Sequence, residues 1–230
     1  MPRHVADDLL EVLVQAGVTR IYGLVGDSLN AFSDAVRRSG GAAKGGIDWV
    51  HVHNEEGAAF AASAEAQLTG RLAVCAGSCG PGNTHLIQGV LDAHRSGAPV
   101  LALASHIPSR QIGTGYFQET KPEALFAQAS YYCEMISHPS QVARLARGAI
   151  QAAVGKRGAG VIVFPGDVLT EHSEGPVPAS VTVTARPRPA PSEQEVAELA
   201  QRIQAAAKIA IFGGIGCTTG APMSSSWPGA

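Results

Sequence analysis

The chain has 230 residues, of which 45% are hydrophobic, and a formal net charge of −2 at pH 7. This length can bury a sizeable core and predicts one full domain with room for the start of a second. The near-neutral charge gives no support for binding to nucleic acid or to an anionic membrane, and no segment reaches the ~18 apolar residues of a membrane span.

The first predicted element is an amphipathic helix near the start of the chain. It has Val5, Leu9, Val12 and Leu13 on one face, and Gly17 stops it. Five further helices are predicted in the first 170 residues, at 28–39, 55–68, 84–96, 122–129 and 139–154. The strands predicted between them lie at 20–26, 47–52, 71–78, 99–105, 131–136 and 159–168. This alternation predicts an α/β fold, a parallel sheet with helices on both faces.

The composition changes near residue 170. Residues 170–192 contain five prolines and no helical period, which is typical of a linker. Ser192 then opens an amphipathic helix at 193–207, and an apolar run at 208–216 predicts a strand. We therefore divide the chain into a domain at 1–170, a linker at 171–192 and the truncated start of a second α/β domain at 193–230.

The cysteines and the amino-terminal residues bear on the location of the protein. Cys75, Cys79, Cys133 and Cys217 form no C-x-x-C pair, so we expect reduced thiols. The first helix carries acidic residues and lacks the uninterrupted apolar run of a signal peptide. Together these features predict a cytoplasmic protein.

Ligands of open parallel sheets bind outside the carboxyl ends of the strands, so the loops at those ends are candidate sites. The most distinctive loop is GSCGPGN at 77–83, where glycines let backbone groups approach a flat ligand and a helix follows at once. An ordinary glycine turn would have the same local pattern. The loop is not a P-loop, because it lacks the G-K-[ST] ending.

Two adjacent glutamates begin the helix predicted at 55–68. Adjacent helical residues point about 100° apart, so Glu55 and Glu56 cannot both face one pocket. Either carboxylate is favoured in a first helical turn by the helix dipole, and this is sufficient reason for Glu56. Glu55 lies closer to the strand end, and a carboxylate in a desolvated cleft could exchange a proton with a heterocycle.

The loop at 105–119 is long enough to suggest a functional role. Phe117 could wall an apolar pocket with Gln118 beside it, although Phe117 could equally belong to the core. His51 and His53 lie on one side of a strand but have no third ligand in the sequence, so we assign no metal site. We expect each histidine to be a surface residue or to be hydrogen-bonded in the interior.

Several motifs in order resemble the N-terminal pyrimidine-binding domain of thiamine-diphosphate-dependent enzymes. They are AGVTRIYGLVGDSLN, HNEEGAAFAASAEAQLTGRLAVCAGSCGPGNTHLIQG, PVLALASHIPS and GTGYFQE, within about 4–217. Within that family the motifs are most similar to pyruvate oxidase of the quinone-linked type, also called pyruvate dehydrogenase (quinone). Acetolactate synthases share the outline less closely.

The resemblance implies roles for individual residues. Glu55 would be the catalytic glutamate that hydrogen-bonds the aminopyrimidine ring and favours its imino tautomer, which removes the proton from the thiazolium carbon. The residues matching the pyrimidine pocket are Val25, Gly26, Pro81, Gly82 and Asn83. Phe117 and Gln118 match the substrate-side pair, and a 2-keto acid, pyruvate, would be the substrate.

The sequence also departs from the family. His53-Asn54 stands where Arg-His is usual, so the resemblance assigns no role to those two positions. No motif matches the C-terminal domain that holds the diphosphate and Mg²⁺, and KIAIFGGIGC resembles only the opening of the central domain that binds FAD. The resemblance stops after Cys217, which suggests a frameshift that truncates a longer enzyme.

These features leave competing interpretations open. The first is part of a pyruvate-oxidising enzyme, inactive alone, that forms a homo-oligomer or pairs with a diphosphate-binding domain. The alternatives are a fragment of an acetolactate-synthase-like enzyme and a non-catalytic module that dimerises or binds a partner. A nucleotide-binding Rossmann protein is disfavoured, because GGIGCTTG misses the fingerprint by one residue.

Overall fold

A computed structural model describes residues 3–174 and 190–214 of the chain. It divides into two compact units, Met1–Arg186 and Pro187–Ala230. The predicted linker falls largely on residues 175–189, which lie outside the described ranges. The first unit continues past residue 170, because the backbone of 171–173 bonds to that of Arg3 and Val5.

The first unit contains six α-helices and six strands in its described part. The helices are α1 (Val5–Gln15), α2 (Asn30–Ser39), α3 (Glu55–Thr69), α4 (Pro81–Arg95), α5 (Pro122–Leu125) and α6 (Val142–Lys156). The strands are β1 (Arg20–Gly23), β2 (Asp48–His51), β3 (Ala73–Gly77), β4 (Val100–His106), β5 (Tyr132–Met135) and β6 (Ala159–Pro165). Among the described residues, no helix is both long enough and apolar enough to cross a membrane.

All six strands form one parallel sheet in the order β2-β1-β3-β4-β6-β5. The order reverses direction beside β1, where the chain crosses from β2 to β3. In such a sheet the carboxyl ends of β1 and β3 diverge into a crevice that can hold a ligand. The predicted α/β class with a parallel sheet is confirmed.

Each face of the sheet is covered by helices, because the central strands are apolar on both sides. One core joins α1, α2 and α6 to alternate strand residues such as Val74, Leu101 and Phe164. The other joins α3 and α4 to the intervening residues, such as Cys75, Ala102 and Val163. The alternation of side chains along a strand makes one apolar run serve both layers.

The helices α3 and α4 lie unusually close to each other. A Cβ added at Gly89 would lie 2.5 Å from Ala59 Cβ and 2.5 Å from the Phe60 nitrogen. Glycine at this position therefore lets the backbone of α4 touch the backbone of α3. The small residues along α3, which weaken its amphipathic pattern, are the reason the two helices can pack this tightly.

Local differences from the prediction have simple causes. The helix α4 begins at Pro81 rather than at 84, because proline suits the first helical position, so the GPGN segment lies mostly in the helix. The helix predicted from 28 begins at Asn30, because Ser28 lies in a 3-10 turn before α2 and its side chain bonds elsewhere. The loop at 40–46 contains a short 3-10 helix, and α5 is shorter than 122–129.

The second unit is described from 190 to 214. Its helix α7 (Glu193–Ala205) is confirmed, with Ser192 and Glu195 forming a reciprocal capping box. The strand predicted from 208 is absent over 208–214, where the backbone has no regular structure. Residues 215–230, which include Cys217, lie outside the described ranges.

The packing of α3 on α4 can be tested by adding one methyl group. Gly89→Ala should lower the free energy of unfolding by about 1–3 kcal/mol, because backbone atoms cannot move aside as a flexible side chain would. Urea unfolding followed by circular dichroism measures this.

The matched control is Gly57→Ala on α3, where a Cβ meets no atom within 4 Å. This change should raise the free energy of unfolding by about 0.5–1 kcal/mol, since alanine favours a helix over glycine. Equal effects of the two substitutions would contradict the close helix contact.

Candidate active site

Glu55 is the first residue of α3, directly beyond the carboxyl end of β2. The preceding Asn54 caps this helix, because its side chain accepts a hydrogen bond of 2.7 Å from the Glu56 nitrogen. Asn54 differs from the residue that is usual at this position in the motif, and its observed contact is this helix cap. The Glu55 side chain lies against α4 and is only 8% exposed.

The two oxygens of the Glu55 carboxylate have different surroundings. Oε2 lies 3.0 Å from Nδ1 of His85, on α4. Oε1 lies beside Gly82, where an added Cβ would stand 3.0 Å away, and it has no hydrogen-bond partner among residues 3–174. Thus one oxygen is paired, and the other is available to a ligand.

His85 was missed by sequence reasoning. It sits one turn into α4, and its half-exposed ring reaches across to α3. A histidine in a helix has no local signal of such a contact. The contact of His85 with Glu55 could have been anticipated only from the packing of α3 against α4. That packing follows from the topology of the sheet and not from the spacing of residues in the sequence. Glu56, by contrast, remains a half-buried first-turn residue whose backbone is capped.

The residues predicted to line the pyrimidine pocket come from two loops. A Cβ added to Gly26 would lie 2.5 Å from Ser78 Oγ, so the loop after β1 lies directly against the turn after β3. Gly82 and Asn83 are buried in the first turn of α4, while Val25 and Pro81 are exposed. The structure therefore brings these loops together with Glu55.

Ser28 joins the loops at the carboxyl ends of three strands. Its Oγ lies 2.6 Å from Ser105 Oγ and 2.9 Å from Ser78 Oγ, and it accepts a hydrogen bond of 3.0 Å from the Cys79 nitrogen. Ser105 in turn donates to the Gly77 carbonyl. This hydroxyl cluster holds the floor of the crevice in place.

Asn83 is anchored beneath the crevice by a single hydrogen bond. Its side chain is fully buried, and Nδ2 donates to the Ser105 carbonyl at 2.8 Å. Its Oδ1 has no hydrogen-bond partner in the described structure. A buried amide oxygen without a donor is costly, so this atom is a candidate for contact with a ligand or an ordered water.

The loop after β4 reaches the turn after β3 through Gln118. Gly80 has a φ of +67°, and a Cβ there would lie 2.7 Å from Gln118 Cβ, so only glycine suits this contact. Cys79 Sγ also lies 3.5 Å from Gln118 Oε1. Phe117, by contrast, is 78% exposed and not part of the core.

Glu119 organises the same loop. Its carboxylate accepts hydrogen bonds from the nitrogens of Gly113, Gly115 and Tyr116. The hydrogen bond from Gly113 is the main cause of a lowered pKa for Glu119. The sequence offered no sign of this, because a carboxylate that closes a glycine-rich loop has no fixed spacing.

The histidines and cysteines show no metal-binding arrangement within 3–174 and 190–214, where no group of three or more His, Cys, Asp or Glu could hold an ion. His106 differs from our expectation, because it is buried and its Nδ1 lacks a hydrogen bond. Burial lowers the pKa of His106. Burial also raises the pKa of Cys75 and of Cys133 to about 12, so both are unreactive thiols at neutral pH.

The fold and the crevice are those of a cofactor-binding α/β domain, and comparison with known proteins identifies the family. Residues 3–125 match the thiamine pyrophosphate enzyme, N-terminal TPP binding domain. The chain belongs to this family, and the expected resemblance is confirmed.

Three curated relatives illustrate the range of the family. The chain is 53% identical over 93% of its length to an uncharacterized 42.6 kDa protein in isoamylase 3′ region of Pseudomonas amyloderamosa. It is 32% identical over 90% of its length to the pyruvate oxidase of Lactiplantibacillus plantarum, and 33% identical over 70% to the acetolactate synthase of Arthrospira platensis. The matches cover 53%, 34% and 28% of these proteins, so the chain spans between about a quarter and a half of their length.

The residues in the crevice fit the pyrimidine half of thiamine diphosphate. A ring nitrogen bearing a hydrogen needs an acceptor, and Glu55 Oε1 is such an acceptor without a protein partner among the described residues. Gly26 and Gly82 remove side chains from the adjoining walls. The fully buried Asn83 Oδ1 also lacks a hydrogen-bond donor among the described residues.

The hydroxyl cluster can be tested through Ser28→Ala. Loss of the hydroxyl leaves the Cys79 nitrogen without its acceptor, so the free energy of unfolding should fall by about 1–3 kcal/mol. Ser33→Ala, which removes a surface hydroxyl of α2, should change it by less than about 0.5 kcal/mol. Chemical denaturation compares the two variants, and indistinguishable stabilities would argue against the cluster.

The loop after β4 can be tested through Glu119→Gln. A neutral amide has one accepting oxygen, so amide hydrogens of Gly113, Gly115 and Tyr116 should exchange faster, by roughly 10-fold. In the native protein the same bonds should weaken as the pH falls through the lowered pKa of Glu119, since protonation removes the charged acceptor. Hydrogen exchange followed by mass spectrometry measures both effects. Glu123→Gln is the control and should leave these exchange rates unchanged.

Proposed function

We propose that the chain is the pyrimidine-binding part of a thiamine-diphosphate enzyme that oxidatively decarboxylates pyruvate. The observation that carries the proposal is the buried Glu55 carboxylate, which has one oxygen paired to His85 and the other open beside Gly82. The match of residues 3–125 to the N-terminal TPP binding domain supports the cofactor. The similarity to a pyruvate oxidase supports the substrate class.

Each proposed site residue has a distinct task. Glu55 accepts a hydrogen bond from the aminopyrimidine ring and holds or returns its proton. Val25, Gly26, Pro81, Gly82 and Asn83 line the ring, and Phe117 with Gln118 faces the substrate. When bound, thiamine diphosphate supplies the carbon nucleophile and the electron sink for decarboxylation.

The described chain offers only part of such an active site, and its surface favours a partner. The outward face of α3 carries Gly57, Phe60, Ala64 and Leu68 at helical spacing, and Leu68 is 87% exposed. An apolar stripe of this kind beside a site is typical of a protein interface. We propose that it packs against a diphosphate-binding domain that also brings Mg²⁺.

The second unit is proposed to begin the central domain of the enzyme. Its helix α7 exposes Val196, Leu199 and Ile203, spaced to cover a neighbouring sheet. In the proposed whole enzyme this domain binds FAD, and the location is cytoplasmic. An acetolactate-synthase-like enzyme is the second candidate, favoured by the similarity to that of Arthrospira platensis.

The proposal can be tested by complementation. The full chain is mixed with a pyruvate oxidase from Lactiplantibacillus plantarum that lacks its N-terminal domain, together with thiamine diphosphate, Mg²⁺, FAD, pyruvate and an artificial electron acceptor. Turnover should appear only on mixing, and Glu55→Gln should lower it by at least about 100-fold, as expected when an acid–base group is lost. Glu56→Gln, the matched control, should keep nearly full turnover.

The products separate the candidates. Release of carbon dioxide with reduction of an electron acceptor supports the proposed oxidase, whereas accumulation of acetolactate supports the second candidate. A stable complex without turnover points to a non-catalytic dimerising or binding module. Full turnover with Glu55→Gln would refute the role given to Glu55.

A further inference from the structure

The contact between Glu55 and His85 joins a shielded group to an exposed one. The Glu55 side chain is 8% exposed, and the His85 side chain is 49% exposed. Their atoms Oε2 and Nδ1 lie 3.0 Å apart, within hydrogen-bond distance. Among the described residues, the second ring nitrogen of His85, Nε2, has no hydrogen-bond partner.

We propose that His85 passes protons between solvent and Glu55, and so resets the carboxyl group between turnovers. The proposal rests on the proposed function of Glu55. A carboxylate that exchanges protons with a buried ring must regain its starting protonation state in every cycle. The side chain of His85 is half-exposed and in direct contact with it.

The transfer balances without any other reactant. With the ring neutral and Nδ1 protonated, Nδ1 gives its proton to Oε2 of Glu55 while Nε2 takes a proton from water, which leaves hydroxide in the solvent. The ring stays neutral and changes tautomer, and one proton has moved from solvent to the carboxylate. The reverse sequence returns the proton to solvent.

The packing of α3 on α4 holds the two groups in register. Ala59 and Gly89 lie one helical turn beyond Glu55 and His85, and they touch. Farther along, Ser63 Oγ donates to Asp92 Oδ2 at 2.6 Å. These contacts form three successive links between the helices. The positions of the two helix backbones therefore hold the ring of His85 next to the carboxylate.

A purely structural role for His85 is the competing explanation. The ring could orient Glu55 without carrying its proton. The two roles differ in one observable: a small base dissolved in water can replace a proton carrier, but it cannot replace a missing hydrogen-bonded side chain that holds geometry.

The first experiment uses the chain alone and needs no cofactor. Nitrogen-15 spectra at a pH of about 8, where an unperturbed imidazole is neutral, report which ring nitrogen of His85 carries hydrogen. We expect protonated Nδ1 in the native chain and a return to the mixture of an exposed imidazole in Glu55→Ala. Glu56→Ala is the control and should leave the spectrum unchanged. If the ring tautomer of His85 is the same in Glu55→Ala as in the native chain, the proposal is overturned.

The second experiment uses the complemented complex with thiamine diphosphate, Mg²⁺, FAD, pyruvate and the artificial electron acceptor. His85→Ala should slow turnover by roughly 100-fold, the loss typical of a missing proton-transfer group, with the pyruvate KM unchanged. Added imidazole should restore most of the rate in this variant. The control Gln88→Ala, an exposed position on α4, should neither lose turnover nor respond to imidazole.

The outcomes separate a failure of the proton relay from a failure of the proposed function. Turnover that His85→Ala does not change, or a loss that imidazole does not restore, overturns the relay and leaves the proposed function standing. Absence of turnover in the native complex overturns the proposed function and, with it, the relay. Rescue by imidazole together with the tautomer change supports the relay.

Discussion

The close contact between α3 and α4 is the constraint on which the candidate site depends. At Gly89 the two backbones approach to within the space of a single methyl group, and this separation fixes where every other side chain of the pair can meet. One turn away, it brings His85 within 3.0 Å of Glu55, although thirty residues of chain separate them. Leucine or valine along this seam would bury more apolar area, but it would also push the carboxylate and the imidazole apart.

A second constraint acts at the carboxyl ends of the strands. The hydroxyl of Ser28 ties the loop after β1 to the turn after β3 and to the end of β4. Because these segments start from neighbouring strands of a packed sheet, a few short hydrogen bonds suffice to fix them. The glycines at 26, 80 and 82 have meaning only in this setting, where a Cβ would meet Ser78, Gln118 or Glu55.

The order of elements was predictable because the sheet is buried on both faces. Apolar strands without alternation, separated by helices of moderate length, allow few other architectures. The start of α4 was placed too late, since Gly-Pro-Gly was read as a loop, whereas proline is favoured at the first helical position. The strand expected after residue 208 failed in 208–214 for a different reason: an apolar run forms a strand only when a neighbour supplies the other half of its hydrogen bonds.

The candidate site likewise contains residues that could be assigned from the sequence and residues that could not. Glu55 could be preferred over Glu56 from sequence, because the 100° step of a helix lets only one face the crevice and Glu55 lies closer to the strand end. His85 could not be assigned from sequence, since its contact depends on where another helix lies, whereas the contacts of Asn54 and Glu119 are local to their own segments. Asn54 is instructive: in a motif comparison it is a departure, whereas in the structure its side chain caps the start of α3, directly before Glu55.

The two oxygens of Glu55 show why a half-open carboxylate suits this place. If both were paired within the protein, no ligand could gain from the charge; if both were open, the group would be solvated and would lose its preference for a ring nitrogen. His85 takes one oxygen and Gly82 clears the space at the other. The division follows from the packing of two helices and the absence of one side chain, and so the chemistry proposed for Glu55 has the same physical origin as the fold.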